Sequence, residues 1–194
     1  MNIVIPLSGP DYFSNNEPKG LKFIQKYNGY FLRTVLESRQ WYQYIEFSKY
    51  YFILQDTDYA RTFAHSYLRV WFPGCNISFI SNCTKGASFS VLIALSLFPK
   101  LNESFMIDLA DIYIYGSVYQ LEKLISNSSD FDAIAITTRS TDSGYSYFKT
   151  LPDSNIIIDA QEKEVISENA SCGIYYFKDI HIFVSAIGSI LQTL

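Results

Sequence analysis

A Val/Ile-rich run, Ile3-Val4-Ile5-Pro6-Leu7, leads into Ser8-Gly9-Pro10-Asp11, and Lys22 follows before Asn28-Gly29. Main-chain N–H groups in a glycine turn at the end of a strand, with one cation nearby, are the chemistry that receives a phosphate. A second group is acidic. Phe105-Met106-Ile107-Asp108-Leu109-Ala110-Asp111 is apolar until its end. As a central strand it would deliver carboxylates to the C-terminal edge of a sheet, where open α/β sheets bind ligands. Mixed charge gathers at Gln161-Glu162-Lys163-Glu164, which could hold a polar substrate or form a solvated strand end. His65 and His181 have no partners in the sequence and read as structural.

These positions require a scaffold, and the hydrophobic periodicity supplies one. Asn28-Gly29 is a turn, and Phe31, Leu32, Val35 and Leu36 have the spacing of an amphipathic helix from Tyr30 to Tyr44. Tyr50 to Leu54 is a short buried-strand run. Thr57-Asp58 caps a helix from Tyr59 to Trp71, which Pro73-Gly74 stops. A strand from Asn76 to Ile80 follows, then a loop over Thr84 to Ser88 and a helix from Phe89 to Phe98. The acidic-ended strand, a helix from Val118 to Ser126 and a strand from Asp132 to Thr137 continue the alternation. Alternating β and α segments predict a layered, mostly parallel α/β fold. After Thr138 the rhythm changes to short strands, Ser146 to Thr150, Ile156 to Glu162 and Gly173 to Phe177, which predict a small antiparallel flap. A helix from Ile182 to Leu191 closes the series.

Composition limits the function. With 194 residues and 48% hydrophobic content the chain can bury one core, and a single domain spanning 1–194 is expected. A net charge of −4 offers no general attraction to nucleic acid. No run approaches the ~20 apolar residues of a membrane span, and the short N-terminal run has no basic start and reads as a strand, not a signal peptide. Cys75, Cys83 and Cys172 are odd in number and lack metal-ligand spacing, so reduced thiols in a cytoplasmic protein are expected. The 16 Tyr and 15 Phe are mostly packing residues. Tyr42, Tyr44, Tyr50 and Tyr51 are candidates for a contact in a homo-oligomer.

Several of these stretches, in this order, resemble the sugar-phosphate nucleotidyltransferases. Ile3 to Leu32, with its glycine turn, Lys22 and Gly29, is similar to the opening of that family. Thr84-Lys85-Gly86-Ala87 resembles its nucleobase loop, and Phe105 to Asp111 resembles the strand that ends in its metal-binding aspartate. Ser146-Tyr147-Phe148-Lys149, Gln161-Glu162-Lys163-Glu164 and Asn169-Ala170-Ser171-Cys172-Gly173-Ile174-Tyr175-Tyr176-Phe177 are similar to its sugar-side strands. The resemblance implies a Rossmann-like three-layer α/β/α domain. It further implies transfer of a nucleotidyl group from an NTP to a sugar phosphate or similar phosphomonoester, with release of pyrophosphate, in nucleotide-sugar or surface-polysaccharide metabolism.

The implied site has Mg²⁺ on Asp111, with Asp108 a neighbour or a structural residue. Leu7, Ser8, Gly9, Lys22, Thr84 and Gly86 would hold the nucleotide, and Gly144, Tyr147, Glu162 and Lys163 the second substrate. Asp179 is the candidate for a second metal-binding aspartate. The chain departs from the family at Gly9-Pro10-Asp11-Tyr12-Phe13, where the pattern G-x-G-[ST]-R is absent and Pro10 lacks an N–H. Two other readings stay open: a glycosyltransferase with Asp108 and Asp111 as a widened acidic metal motif, and a non-catalytic relative that binds nucleotides or nucleotide sugars.

Overall fold

In strand β1 (Asn2–Leu7) consecutive side chains point to opposite faces of a sheet, and both faces are covered. Ile3, Ile5 and Leu7 join one hydrophobic cluster and Val4 joins another. Strand β4 (Tyr50–Gln55) divides in the same way, Tyr50, Phe52 and Leu54 against Tyr51 and Ile53. A computed structural model describes residues 1–9, 19–81, 86–100, 102–115 and 131–192.

On the first face pack helix α1 (Phe31–Glu37), through Leu32, Val35 and Leu36, and the helical segment after β4, through Ala60, Phe63, Ala64 and Leu68. That segment comprises α2 (Asp58–Phe63), a π-helical turn over Ala64–Leu68 and α3 (Arg69–Trp71). On the other face lie α4 (Ala87–Leu95), through Val91, Ala94 and Leu95, and α5 (Ile180–Gln192), through Ile180 and Phe183. Full burial of an aliphatic or aromatic side chain contributes ~1.5–3 kcal/mol, so these two clusters hold the three layers together.

The sheet runs β5-β4-β1-β6-β10-β8-β9, with β7 also paired to β10. Strands β5 (Asn76–Ile80), β4, β1 and β6 (Phe105–Asp108) are mutually parallel. Strand β10 (Asn169–Phe177) is antiparallel to β6 and carries the antiparallel strands β7 (Ala133–Arg139) and β8 (Ser146–Thr150); β9 (Ile157–Glu162) pairs with β8. A separate two-stranded ribbon joins β2 (Phe23–Ile24) to β3 (Gly29–Tyr30). The three-layer α/β fold is therefore present. One expectation changes: the strand near Asp132 is antiparallel; the late strands form the expected antiparallel part, joined to the main sheet through β10.

Local chemistry accounts for the element ends. Thr57 caps α2, its side chain accepting from the Ala60 N–H at 3.1 Å. The helix expected to reach Tyr44 ends instead at Glu37, and a 3₁₀ turn follows over Gln40–Gln43. Arg39 takes an extended backbone (φ −77°, ψ 133°), and its guanidinium turns inward to Asp108. Tyr50 and Tyr51 are core residues, so of the four tyrosines proposed for a subunit contact only Tyr44 is well exposed; Tyr42 is half-buried. Cys75 and Cys172 are buried thiols, and burial pushes Cys75 up to about 11. Among the described residues, no helix is long and apolar enough to cross a membrane.

Candidate functional site

The C-terminal edge of the parallel strands collects the chemistry. β1 and β6 are neighbours with Val4 beside Ile107, so Ser8-Gly9 and Leu109-Ala110-Asp111 leave the sheet at the same edge. Leu7 is buried in β1, leaving only its main chain for any ligand. Ser8 is buried with its Oγ 2.5 Å from Ser90 Oγ, which ties the end of β1 to α4. Gly86, exposed at the N-cap of α4, has φ +98°, and neither it nor Gly9 has an atom within 4 Å of where a Cβ would lie. Backbone can be approached closely at both. Thr84 and the Asp11 loop lie outside the described residues, as does the helix expected from Val118 to Ser126.

The two aspartates at the end of β6 have different roles. Asp108 is fully buried and receives a two-pronged pair from Arg39, Nε to Oδ2 at 2.7 Å and Nη2 to Oδ1 at 3.0 Å. Its Oδ1 also accepts the Ala110 N–H at 2.8 Å. Asp108 is thus a structural group, and one acid of the widened metal motif is engaged elsewhere. The chain turns through Ala110, at φ +53°, and presents Asp111 as an exposed side chain. Protein surrounds this exposed carboxylate closely enough that burial raises its pKa, an effect opposed chiefly by the positive charge of Lys19.

Gly173 gives Asp111 its space. It sits in a β-bulge of β10, between Ser171 and Ile174, with φ +69°. A Cβ there would come within 3.1 Å of Asp111 Oδ1 and 3.3 Å of Leu109 Cβ. The Gly173 carbonyl accepts the Leu109 N–H at 2.9 Å, which joins the bulge to the Asp111 turn. Tyr175 lies on the same strand, its hydroxyl 2.8 Å from Ser171 Oγ. Burial raises the Tyr175 pKa; Asp111, Cys172 and Glu162 add to the rise and Ser171 opposes it. Tyr175 therefore feels both the Asp111 carboxylate and Glu162 on β9.

The remaining expected residues are placed as follows. Lys22 is exposed, and its carbonyl accepts the Phe31 N–H. The lysine whose charge acts on Asp111 is Lys19, its Nζ 5.5 Å from the Phe31 ring centroid. Glu162 and Lys163 are exposed and 3.8 Å apart, and Lys163 adopts φ +57° where its N–H reaches the Tyr145 carbonyl. Gly144 is exposed in the turn before β8, its N–H donated to Asp142 Oδ1 at 2.9 Å. Tyr147 is fully buried and donates its hydroxyl to the Asp142 carbonyl at 2.7 Å, so it packs the hairpin and presents nothing to a substrate. Asp179 also departs from expectation: β10 is antiparallel, with Phe177 beside Phe105, so Asp179 lies at the opposite end of β6 from Asp111. There its Oδ1 accepts the Ile182 N–H and caps α5.

Similarity to solved structures agrees with this architecture. One match is a nucleoside-diphosphate-sugar pyrophosphorylase from Vibrio cholerae, with a TM-score of 0.73 and 14% identity over 98% of this chain and 78% of that one. The fold is shared with nucleotide-sugar pyrophosphorylases. A UDP-glucose pyrophosphorylase solved with UDP-glucose matches with a TM-score of 0.62 and 15% identity, over 91% of this chain and 75% of that one. A glucose-1-phosphate thymidylyltransferase from Bacillus anthracis, solved with sucrose, matches with a TM-score of 0.70 and 16% identity, over 95% and 73%. No family model and no curated protein matches the sequence.

The resemblance read in the sequence implies a divalent metal, and the donor set can be tested against one. Among the described residues no cluster of three or more His, Cys, Asp or Glu side chains could form a protein cage. Mg²⁺ does not need one, because it is commonly held by one or two carboxylates together with substrate phosphates. Asp111, an exposed carboxylate packed against the Cβ-free backbone of Gly173, fits that mode. Sequence reasoning did not single out Lys19, Tyr175 or Arg39. For Lys19 the available signal was its position, like that of Lys22, between the first strand and the first helix; for the other two, the contact exists only in three dimensions.

Proposed function

We propose that this protein is a Mg²⁺-dependent nucleotidyltransferase that joins the nucleotidyl group of an NTP to a sugar phosphate or similar phosphomonoester and releases pyrophosphate. The observation that carries the reading is Asp111: an accessible carboxylate at the C-terminal edge of the sheet, within the positive field of Lys19, on a fold shared with pyrophosphorylases. Asp111 would hold Mg²⁺ together with phosphate oxygens, and the ion supplies charge neutralisation at the triphosphate. Lys19 brings a second positive charge to the same place, and the exposed Lys22 extends the cationic segment outward. Main chain at Leu7, Ser8 and Gly9 and the uncrowded Gly86 leave room for the nucleotide. Glu162 and Lys163, both exposed, would face the second substrate together with the Gly144 turn.

In the reaction an oxygen of the acceptor phosphomonoester attacks the α-phosphorus and forms a new P–O bond. The bond from that phosphorus to the oxygen bridging to the β-phosphate breaks, and pyrophosphate leaves with the electron pair. Little covalent chemistry falls to the protein, whose contribution is position and charge. Glycosyl transfer with paired acids has less support, because Arg39 occupies Asp108.

The test is a thermal-shift screen with the common NTPs, dTTP and several nucleotide sugars, with and without Mg²⁺. A ligand at a hundred times its dissociation constant stabilises by ~2.7 kcal/mol. A Mg²⁺-dependent shift with one NTP, abolished in Asp111→Asn, and pyrophosphate release on adding sugar phosphates are the expected results. A shift with nucleotide sugars alone, or none at all, refutes the reading.

A further inference from the structure

Arg39 is enclosed by groups that bracket Asp111 in sequence. Its Nε and Nη2 hold both oxygens of Asp108, before the Asp111 turn, and its Nη1 donates to the Ile112 carbonyl at 2.9 Å, after it. The neighbouring Ser38 Oγ lies 3.2 Å from Nη1 and accepts the Ile114 N–H at 3.3 Å. Between the two anchors Ala110 adopts a left-handed backbone, unfavourable for a residue with a Cβ, and its N–H is bound by Asp108 Oδ1. Both side chains of the Arg39–Asp108 pair are fully buried.

A buried ion pair is weak evidence of a stabilising role, since apolar residues of similar size often replace one without loss. What apolar residues cannot reproduce is a fork that grips a carboxylate and a carbonyl four residues apart. We infer that Arg39 is a positioning residue: acting through Asp108 and the Ile112 carbonyl, it fixes the 109–112 turn and thereby aims the Asp111 carboxylate. The inference deepens the nucleotidyltransferase reading and rests on it, because it assigns Asp111 a ligand to face. It also explains why the first helix stops at Glu37: an extended Arg39 sends its guanidinium under the sheet edge, where a helical continuation would have kept the chain in its spiral.

The experiment compares wild type with Arg39→Lys and with the double variant Arg39→Met/Asp108→Leu, which removes both buried charges together. Two quantities are read: Mn²⁺ affinity in the presence of a non-hydrolysable NTP, by electron paramagnetic resonance, and amide hydrogen exchange at Ala110 and Ile114 in the ligand-free protein. The expected result is a cooperative melt for both variants with Mn²⁺ binding weakened by ~10–100-fold, the usual effect of removing a partner that orients a metal ligand. Ile114 in both variants, and Ala110 in Arg39→Lys, where its acceptor Asp108 is retained, should exchange faster while β4 amides keep their protection. A folded double variant with wild-type Mn²⁺ affinity and wild-type Ile114 exchange overturns the inference. If the double variant fails to fold, Arg39→Lys decides it by the same two readings. If wild type binds no Mn²⁺ with any NTP, the proposed function fails, and unchanged exchange at Ala110 and Ile114 in Arg39→Lys would separately overturn the clamp.

Discussion

Replacing Gly173 by alanine joins the fold and the site in one measurement. At φ +69° an alanine pays a left-handed penalty of ~1–2 kcal/mol, and loss of glycine's freedom in the unfolded chain returns ~0.4–1 kcal/mol. The new Cβ meets Leu109 Cβ at 3.3 Å and Asp111 Oδ1 at 3.1 Å, both tight contacts. Leu109 is held by its N–H bond to the Gly173 carbonyl and yields little, whereas the carboxylate end of Asp111 is freer to swing. The net destabilisation is ~1–2 kcal/mol once crowding is included, about 2–8 °C in Tm for a chain of this size. Displacement of Asp111 should remove most of the Mg²⁺-dependent stabilisation by NTP, a larger effect than the change in stability accounts for. Urea unfolding and ligand titration of the same samples measure the two separately. Gly188→Ala is the control: its Cβ would meet nothing within 4 Å in a helix, so it should stabilise by ~0.5–1 kcal/mol. A Gly173→Ala protein with unchanged Tm and unchanged ligand shift would refute both the strain and the adjacency to the ligand.

Three other expectations follow from the same geometry. Arg39→Met alone leaves Asp108 buried without its cation and should cost ~3–5 kcal/mol in urea unfolding; a near-neutral result would contradict that burial. Tyr147→Phe removes one hydrogen bond to Asp142 and should cost ~0.5–1.5 kcal/mol with nucleotide and sugar-phosphate affinities unchanged; a selective loss of acceptor affinity would return Tyr147 to the site. Burial raises the Asp111 pKa in the folded protein, so the native state favours the neutral acid. Ionising Asp111 therefore costs stability, in full above its folded pKa, and the cost disappears as pH falls through that value to the ordinary one of ~3.9. Asp111→Asn should be more stable than wild type at neutral pH without metal, with the difference closing near pH 4. An unchanged difference across that range would refute the assignment.

Much of the scaffold was legible because strands buried on both faces read as unbroken apolar runs. Tyr50 to Leu54 needed no tertiary information to be recognised. Thr57 announced its helix because a cap is a contact between residues three apart. The strand ending in Asp111 was readable, but the turn that halts it at Asp108 was not, because that turn depends on Arg39, 69 residues earlier in the chain. The antiparallel direction of β7 was equally hidden, since side-chain alternation is the same for either direction of pairing. Tyr147 illustrates the limits of spacing: it stands in the expected motif but points inward and spends its hydroxyl on the backbone.

The sequence alone determined the alternating α/β architecture and the acidic strand end, because periodicity and capping act over a few residues. Only the tertiary structure separated Asp108 from Asp111, brought the charge of Lys19 to bear on Asp111, and sent Asp179 to the far end of the sheet. Those distinctions depend on burial and on strand direction, which arise when distant segments pack. Two aspartates three residues apart look alike in a chain; they differ once a buried guanidinium engages the first and the turn through Ala110 leaves the second facing solvent.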